Sequence, residues 1–264
     1  MNASNLGMIF AAVLIVFVLA DSIRAADIAA VQIERERYNQ AIDNAVETAL
    51  FDEVELDSRE KPFFNHDIVL RKFFDSLHIN LGIMENPHAK RLCNLFIPVI
   101  VFVDWDGISV YSQEKEEMRD SHMPILAEEE GFVYETGQEK IYFTLGAYMK
   151  YEKNGAVIEG YYDDRKSELP NDLQWEGWEF DELRRNTIIE TIETAVQEYI
   201  NQYNRIAKNY GISYHFSLPV ISQEEWYRTI EEPGMLVFFQ GYPFGNRQTG
   251  MFNRMAVGAA RIKK

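Results

Sequence analysis

The stretch with the clearest chemical potential is Asp104-Trp105-Asp106-Gly107, which follows an apolar run that ends at Val103. Two aspartates at the end of a strand suit phosphoryl transfer, in which the first attacks phosphorus and the second handles protons. Here the next residues, Ile108 to Tyr111, have the composition of a returning strand, and Ile108 stands where such a site has Thr or Val. We therefore interpret the stretch as a tight turn between two strands.

Other motifs that would carry chemistry are missing from the sequence. The Asp104 stretch does not fit a calcium loop, because its fifth position is Ile108 and its twelfth is Lys115 in place of glutamate. There is no nucleophile elbow, phosphate loop or dinucleotide fingerprint. The histidines occur at no metal-ligand spacing: His66, His78, His88, His122 and His215. We predict no catalytic residue, no metal ligand and no cofactor.

Acidic residues dominate the charge of the chain. Two short acidic runs, 128–130 and 163–164, are typical of solvated surfaces. The paired carboxylates of glycoside hydrolases meet in space rather than in sequence, so the sequence leaves that chemistry open. In total, 42 acidic residues outnumber 26 basic ones, giving a formal net charge of -16. This surface repels phosphate backbones and no basic run offsets it, so we predict no nucleic-acid partner.

Length and cysteine content favour one large folded domain. The chain has 264 residues, of which 47% are hydrophobic and 26% charged, which is enough to bury a substantial core. Its one cysteine, Cys93, cannot close an intramolecular disulfide. We predict that Cys93 is a small buried apolar side chain rather than a catalytic thiol.

An amphipathic helix is predicted from Ile28 to about Phe51, because apolar residues recur there at three- and four-residue spacing. We call its apolar side the packing stripe: Ile28, Val31, Tyr38, Ala41, Ala45 and Ala49. The packing stripe must rest either on the domain itself or on neighbouring copies of the chain.

Three further helices are predicted by the same periodicity. The first covers about Asp67 to Leu77, capped by Asn65 or Asp67, and is followed by a loop through Gly82, Asn86 and Pro87. The longest runs from about Glu179 to Tyr210 and ends at Gly211. A short helix from Gln223 to Ile230 begins at Ser222.

Strands are predicted from β-branched content, alternation and turn residues. Leu95 to Val103 and Ile108 to Tyr111 form one hairpin, followed by a charged loop from Gln113 to Glu130. Lys140 to Tyr151 and Ala156 to Tyr162 form a second hairpin around Asn154-Gly155. Further strands are predicted at 214–218, 235–239 and 251–262, the last an edge strand. Hairpins and helices segregate without βαβ units, which predicts an α+β fold with long helices packed on a mainly antiparallel sheet.

The loop from Gly241 to Gly250 is distinctive because it carries two aromatic residues, Tyr242 and Phe244, on either side of Pro243. One interpretation is an exposed contact site formed by Tyr242 and Phe244. The other is a Pro-Gly turn whose aromatic rings fold back on the core.

The N-terminal segment from Met8 to Ala20 contains no polar side chain. It is predicted to enter a lipid bilayer through residues that include Met8, Phe10, Leu14, Phe17 and Leu19. A cleaved signal peptide and a buried helix of a soluble domain are the alternatives. We divide the chain into a leader (1–7), a membrane anchor or signal segment (8–26) and a single acidic α+β domain with an N-terminal stalk helix (27–264).

This layout resembles the minor pilins of tight-adherence and related type IV pilus or secretion machines. The similarity lies in a short leader ending at Gly7, the apolar segment, and an unbroken helix that contains Tyr38-Asn39-Gln40-Ala41-Ile42-Asp43-Asn44-Ala45. It covers about the first fifth of the chain. The leader lacks the Lys or Arg of such pilins, and Ala12 stands where they have Glu.

The resemblance implies a single-pass membrane protein whose large domain is extracytoplasmic, acting as a non-enzymatic assembly component. Its partners would be the bilayer and sister or assembly proteins. The positions of Arg24, Arg35 and Arg37 after the apolar segment favour instead a cytoplasmic domain under the positive-inside rule. A secreted or membrane-tethered hydrolase-like enzyme is the alternative function, and it requires a concave pocket that gathers carboxylates or histidines.

Overall fold

A computed structural model of the chain describes residues 29–51, 55–56, 62–112, 125–126, 129–244 and 250–259. The predicted anchor residues and Ile28 of the packing stripe lie outside these ranges. Among the helices within them, none is both long enough and apolar enough to cross a membrane.

Four of the six helices in the described part of the chain form where apolar periodicity predicts them. Helix α1 covers 29–50 of the described residues. It is followed by α2 (His66–Asn80), α3 (Pro87–Asn94), α4 (Tyr162–Arg165), α5 (Gly177–Ala207) and α6 (Gln223–Thr229). The four predicted helices are confirmed as α1, α2, α5 and α6. Their caps are those expected from sequence, since Asn65 accepts a hydrogen bond from the Ile68 amide and Ser222 forms a capping box with Glu225.

The prediction of a loop through Pro87 is wrong in part, because the chain is helical from Pro87 to Asn94, as helix α3. The Asn86 side chain accepts from the Ala89 amide at 3.0 Å, and Pro87 occupies the first turn. An Asn-Pro pair begins a turn or a helix equally well. The helix has only eight residues and buries only Cys93, which is too little for periodicity to reveal it.

The strands form one large antiparallel sheet and a small one. Their bounds are β1 (Glu55–Leu56), β2 (Pro62–Phe63), β3 (Val99–Val103), β4 (Gly107–Ser112), β5 (Ile125–Leu126), β6 (Glu130–Thr136), β7 (Glu139–Phe143), β8 (Tyr148–Lys153), β9 (Ala156–Tyr161), β10 (Gly234–Phe244) and β11 (Gly250–Ala259). β1 pairs with β2. The nine-stranded sheet has the order β11-β10-β3-β4-β6-β7-β8-β9, and β5 pairs with β4. The α+β prediction is confirmed, and every described strand pair is antiparallel.

Three strand predictions need correction. The strand predicted from Lys140 to Tyr151 is two strands, β7 and β8, because the chain turns at 144–147 while the alternation continues. Residues 214–218 form no strand: the backbone of Phe216 bonds the Asn204 side chain instead, at 2.9 and 2.8 Å. The loop predicted from Gly241 is strand as far as Phe244, with a register shift at the start of that stretch.

Helices cover both faces of the sheet only over its first half, from β11 to β4. On one face, Val46 of helix α1 packs against Gly258 of β11. On the opposite face, helix α5 contacts β3, β4 and β6. In the second half, from β6 to β9, α5 again covers one face, where the Phe143 and Phe180 ring centroids lie 5.5 Å apart. The other face, which carries Tyr142 and Lys150, has no helix packed on it among the described residues; we call it the open face.

Candidate functional site

The turn between β3 and β4 forms one wall of the candidate site. Val103 pairs with Ile108, and the Asp104 amide donates to the Gly107 carbonyl at 2.8 Å, which confirms the predicted tight turn. At Gly107 the neighbouring strand passes so closely that a Cβ atom would lie 2.6 Å from the Glu130 carbonyl oxygen. Gly107 is therefore the residue that lets β6 join the sheet directly beside the turn.

Asp104 is held by two donors. His66 Nε2 lies 2.9 Å from Oδ1 of Asp104, and the Ser109 hydroxyl donates to Oδ2 at 3.2 Å. A catalytic triad needs the histidine between the serine and the aspartate, so that the imidazole can take the hydroxyl proton. Here the aspartate lies between them. The group therefore fastens the start of α2 to the β3–β4 hairpin and does not activate Ser109.

A cleft of about 310 Å³ opens beside this turn, on the open face of the sheet. The β3–β4 turn supplies Asp106, and the start of β6 supplies Glu129. From the open face, strand β7 supplies Tyr142, strand β8 supplies Tyr148 and Lys150, and strand β9 supplies Glu159. The lining residues are Asp106, Glu129, Gly131, Tyr142, Phe143, Thr144, Tyr148, Lys150 and Glu159. Residues far apart in sequence thus meet because the sheet brings the β3–β4 turn beside the four strands β6, β7, β8 and β9.

The floor of the cleft is fixed by the turn between β7 and β8. The Leu145 amide donates to the Trp105 carbonyl at 2.8 Å, and the Thr144 hydroxyl donates to the Tyr148 carbonyl at 2.8 Å. From the opposite face, the buried Arg184 of α5 donates to the Leu145 carbonyl. Charged hydrogen bonds of this kind are among the strongest in proteins. They hold this turn in one position relative to the β3–β4 turn.

The described residues that line the cleft include more acidic than basic side chains. Burial raises the pKa of the Glu129 carboxyl, and the charges of Asp104 and Asp106 raise it further. Glu159 accepts a hydrogen bond from the Tyr148 hydroxyl at 2.9 Å. Among the described lining residues the positively charged group is that of Lys150, whose Nζ lies 5.0 Å from the centroid of the Tyr142 ring.

The packing stripe divides into two parts. Ala41, Ala45 and Ala49 are buried in the core of the domain, and Tyr38 is half-buried. Val31 is 39% exposed. The C-terminal part of the stripe therefore rests on the chain's own domain. Packing against neighbouring copies stays a prediction for the part that contains Val31.

Of the two residues of the predicted contact loop, the structure describes the side chain of Tyr242 only. The Tyr242 ring packs on the core, 5.4 Å from Phe96 and 5.3 Å from Phe239. Burial raises the pKa of its phenol. Phe244 ends β10, and its side chain lies outside the described part. Cys93 is fully buried, as predicted.

Sequence reasoning missed most of the cleft. Glu129 belongs to a run interpreted as a solvated surface, and Asp106 was assigned only to a turn. Tyr142 and Lys150 occupy alternating polar positions of two strands, which is the signal for one shared face. Only the register of β7 with β8 makes them direct neighbours.

Comparisons with known proteins assign no function to this site. No protein-family model matches the chain, and neither a curated protein nor a solved structure matches it. Within the described ranges, no three His, Cys, Asp or Glu side chains are grouped so that they could hold a metal ion.

Proposed function

We propose that this protein is a membrane-anchored, extracytoplasmic, non-enzymatic component of a pilus- or secretion-like assembly. The observation that carries the proposal is the way helix α1 leaves the domain. Residues 29–37 contribute no buried side chain, whereas the same helix is embedded in the core from Ala41 onward. The apolar segment 8–20 precedes this exposed part in the sequence, with residues 21–28 between them. One helix thus leads from the domain toward the proposed membrane anchor.

The exposed part of α1 is apolar on two sides. Ile33 is 72% exposed and Val31 is 39% exposed. Two residues apart in a helix, they point about 200° apart around its axis. A helix that exposes apolar side chains on opposite sides gains stability when neighbours surround it. Sister helices in an assembly would provide such neighbours, as the resemblance to minor pilins implies.

The rest of helix α1 is attached to the domain by an ion pair, a hydrogen bond and close packing. The Asp43 carboxylate pairs with Arg254 of β11, with Oδ1 accepting from Nε at 3.0 Å. The Asn80 side chain of α2 donates to the Ala41 carbonyl at 3.3 Å. A Cβ atom on Gly258 would lie 2.3 Å from the Val46 side chain, so helix and strand are in close contact.

Cysteine crosslinking in membranes tests the assembly role. Ile33→Cys in the full-length chain should give covalent dimers with a short bismaleimide linker. Glu47→Cys, exposed on the same helix but within the docked part, is the matched control and should stay monomeric. The native Cys93 is buried and gives little background. Equal crosslinking of both variants, or none at Ile33→Cys, would contradict the proposal.

A hydrolase-like enzyme is the second candidate function, favoured by one observation. Glu129 has a raised pKa in a concave site that also contains Asp106, and acid–base hydrolysis requires a carboxyl group of this kind. A panel of chromogenic glycosides and phosphate esters tests it. Turnover that is lost in Glu129→Gln and kept in Glu135→Gln would support the enzyme. No turnover by the wild-type chain would remove it.

A further inference from the structure

The turn between β8 and β9 presents an asparagine–glycine pair to solvent. Lys153 of β8 pairs with Ala156 of β9, so Asn154 and Gly155 alone form the loop. Both residues are exposed, and φ is 50° at Asn154 and 82° at Gly155. A two-residue loop with positive φ at both positions leaves the amide of its second residue outside the hydrogen-bond ladder of the hairpin. The Gly155 nitrogen is therefore accessible beside the Asn154 side chain.

The surroundings of this pair leave room for a reaction. A Cβ atom on Gly155 would meet no described atom within 4 Å beyond its chain neighbours, whereas one on Gly107 would lie 2.6 Å from the Glu130 carbonyl oxygen. Asn154 is exposed, whereas Asn204 is half-buried and its side-chain oxygen accepts a hydrogen bond from a backbone amide. An exposed carboxamide can rotate until its carbon faces the backbone nitrogen of the next residue.

The pair can react with itself in water. Hydroxide removes the proton of the Gly155 amide, and the nitrogen attacks Cγ of Asn154, which no Cβ atom on glycine hinders. A bond forms between that nitrogen and Cγ, and the bond from Cγ to the side-chain nitrogen breaks. The side-chain nitrogen takes a proton from water and leaves as ammonia. Water then opens the cyclic imide: cleavage of the new bond gives aspartate, and cleavage of the original peptide bond gives isoaspartate.

The two products differ in what they do to the hairpin. Aspartate keeps the course of the backbone and tolerates a positive φ. Isoaspartate directs the main chain through Cγ and so adds a methylene group to a loop that fits the pairing of Lys153 with Ala156. Strand β9 ends the sheet and pairs with β8 alone among the described strands. A lengthened turn therefore weakens the strand pairing that holds β9.

We propose that Asn154 is a site of spontaneous deamidation, and that the isoaspartate product loosens β9 from β8. The reaction uses only water and the chain's own amide groups. It is independent of the membrane anchor and of the proposed assembly role.

Peptide mapping by mass spectrometry tests the reaction. The purified full-length chain is incubated at mildly alkaline pH, and conversion of each asparagine is followed over time. Asn154 should convert at least about tenfold faster than Asn171, which corresponds to about 1.4 kcal/mol in the activation barrier. Asn171 is the matched site because it is also exposed but precedes Asp172, whose side chain hinders the attack. Equal rates at the two sites, or no conversion of Asn154, would overturn the proposal.

Hydrogen exchange tests the effect on the hairpin. A peptide that contains both residue 154 and β9 reports conversion and exchange together, because its unconverted, aspartate and isoaspartate forms separate by chromatography. Amides of β9 should exchange at least about tenfold faster in the isoaspartate form than in the unconverted form. The freshly prepared Asn154→Asp variant is the matched control, since it carries the added charge without the added methylene group, and it should exchange like the unconverted chain. Equal exchange in the isoaspartate form and this control would overturn the proposed loosening.

Discussion

The Nε2 atom of His66 lies 2.9 Å from Oδ1 of Asp104, and this contact joins the first turn of helix α2 to the turn between β3 and β4. The imidazole ring also stacks on Phe102 of β3, with centroids 4.5 Å apart and planes within 8°. The wall of the cleft that carries Asp106 is therefore supported from behind by helix α2. A site whose walls are fixed before the ligand arrives loses less entropy on binding.

Removal of the Asp104 carboxylate should destabilise the domain. Asp104→Ala leaves the His66 and Ser109 donors without their acceptor in a largely buried place, so the free energy of unfolding should fall by about 1–3 kcal/mol. Urea denaturation monitored by tryptophan fluorescence measures it. Glu182→Ala, at an exposed position of helix α5, should change stability by less than about 0.5 kcal/mol. Equal effects of the two variants would contradict the role assigned to Asp104.

The buried guanidinium of Arg184 supports the floor of the cleft. Arg184→Met removes its charged hydrogen bond to the Leu145 carbonyl and should lower the free energy of unfolding by about 1.5–3 kcal/mol. Arg185→Met, at the next position of the same helix, loses a contact 5.0 Å from the Tyr227 ring and should cost about 0.5–1 kcal/mol. Thermal or urea unfolding of the two variants measures both losses of unfolding free energy. A larger loss in Arg185→Met than in Arg184→Met would refute the prediction.

Cys93 should be unreactive in the folded protein. The side chain is fully buried, and burial raises the pKa of its thiol to about 12, so almost no thiolate forms near neutral pH. Labelling with a thiol reagent at mildly alkaline pH should be slow in buffer and rapid in denaturant. Rapid modification of the native chain would show that Cys93, a residue of helix α3, is not buried in the core.

Alkaline pH should unfold the domain through its buried tyrosines. Burial raises the pKa of Tyr111 and of Tyr162 to about 12, whereas an unfolded phenol ionises near about 10. Below about pH 10 this contribution to stability is complete; between the two pKa values the unfolded state binds fewer protons, so stability falls as pH rises. As the pH is raised, the tyrosinate absorbance of these residues should increase only above about pH 10. It should increase together with the loss of the circular dichroism signal of the folded protein. Ionisation of all tyrosines near pH 10 with the fold intact would contradict it.

The sequence predicted elements whose signal is local, and missed those that depend on pairing. Helix α5 carries its own periodicity, and Asn154-Gly155 specifies the β8–β9 turn, where both residues have positive φ. The short helix α3 and the turn at 144–147 lack such a signal. The segment around Phe216 has strand composition, yet Asn204 satisfies its backbone in place of a neighbouring strand.

The residues of the candidate site could not be grouped from the sequence. Asp106 and Glu129 come together because Gly107 pairs with Gly131, and Tyr142 meets Lys150 only through the β7–β8 register. Periodicity reports which face of a strand a residue occupies, but not which strand lies next to it. The sequence therefore reveals the turn at Asp104 and leaves the cleft around it hidden.

Membrane extraction of the full-length chain tests the central claim of a tethered domain most directly. We predict that the wild-type chain stays in the membrane pellet after alkaline carbonate washing and is released only by detergent. Leu14→Arg places a charge in the middle of the apolar segment at a cost of about 2.5–3.5 kcal/mol and should shift a large share of the chain to the soluble fraction. A wild-type chain recovered in the soluble fraction without detergent, with Met1 still present, would contradict the tether and the assembly role that depends on it.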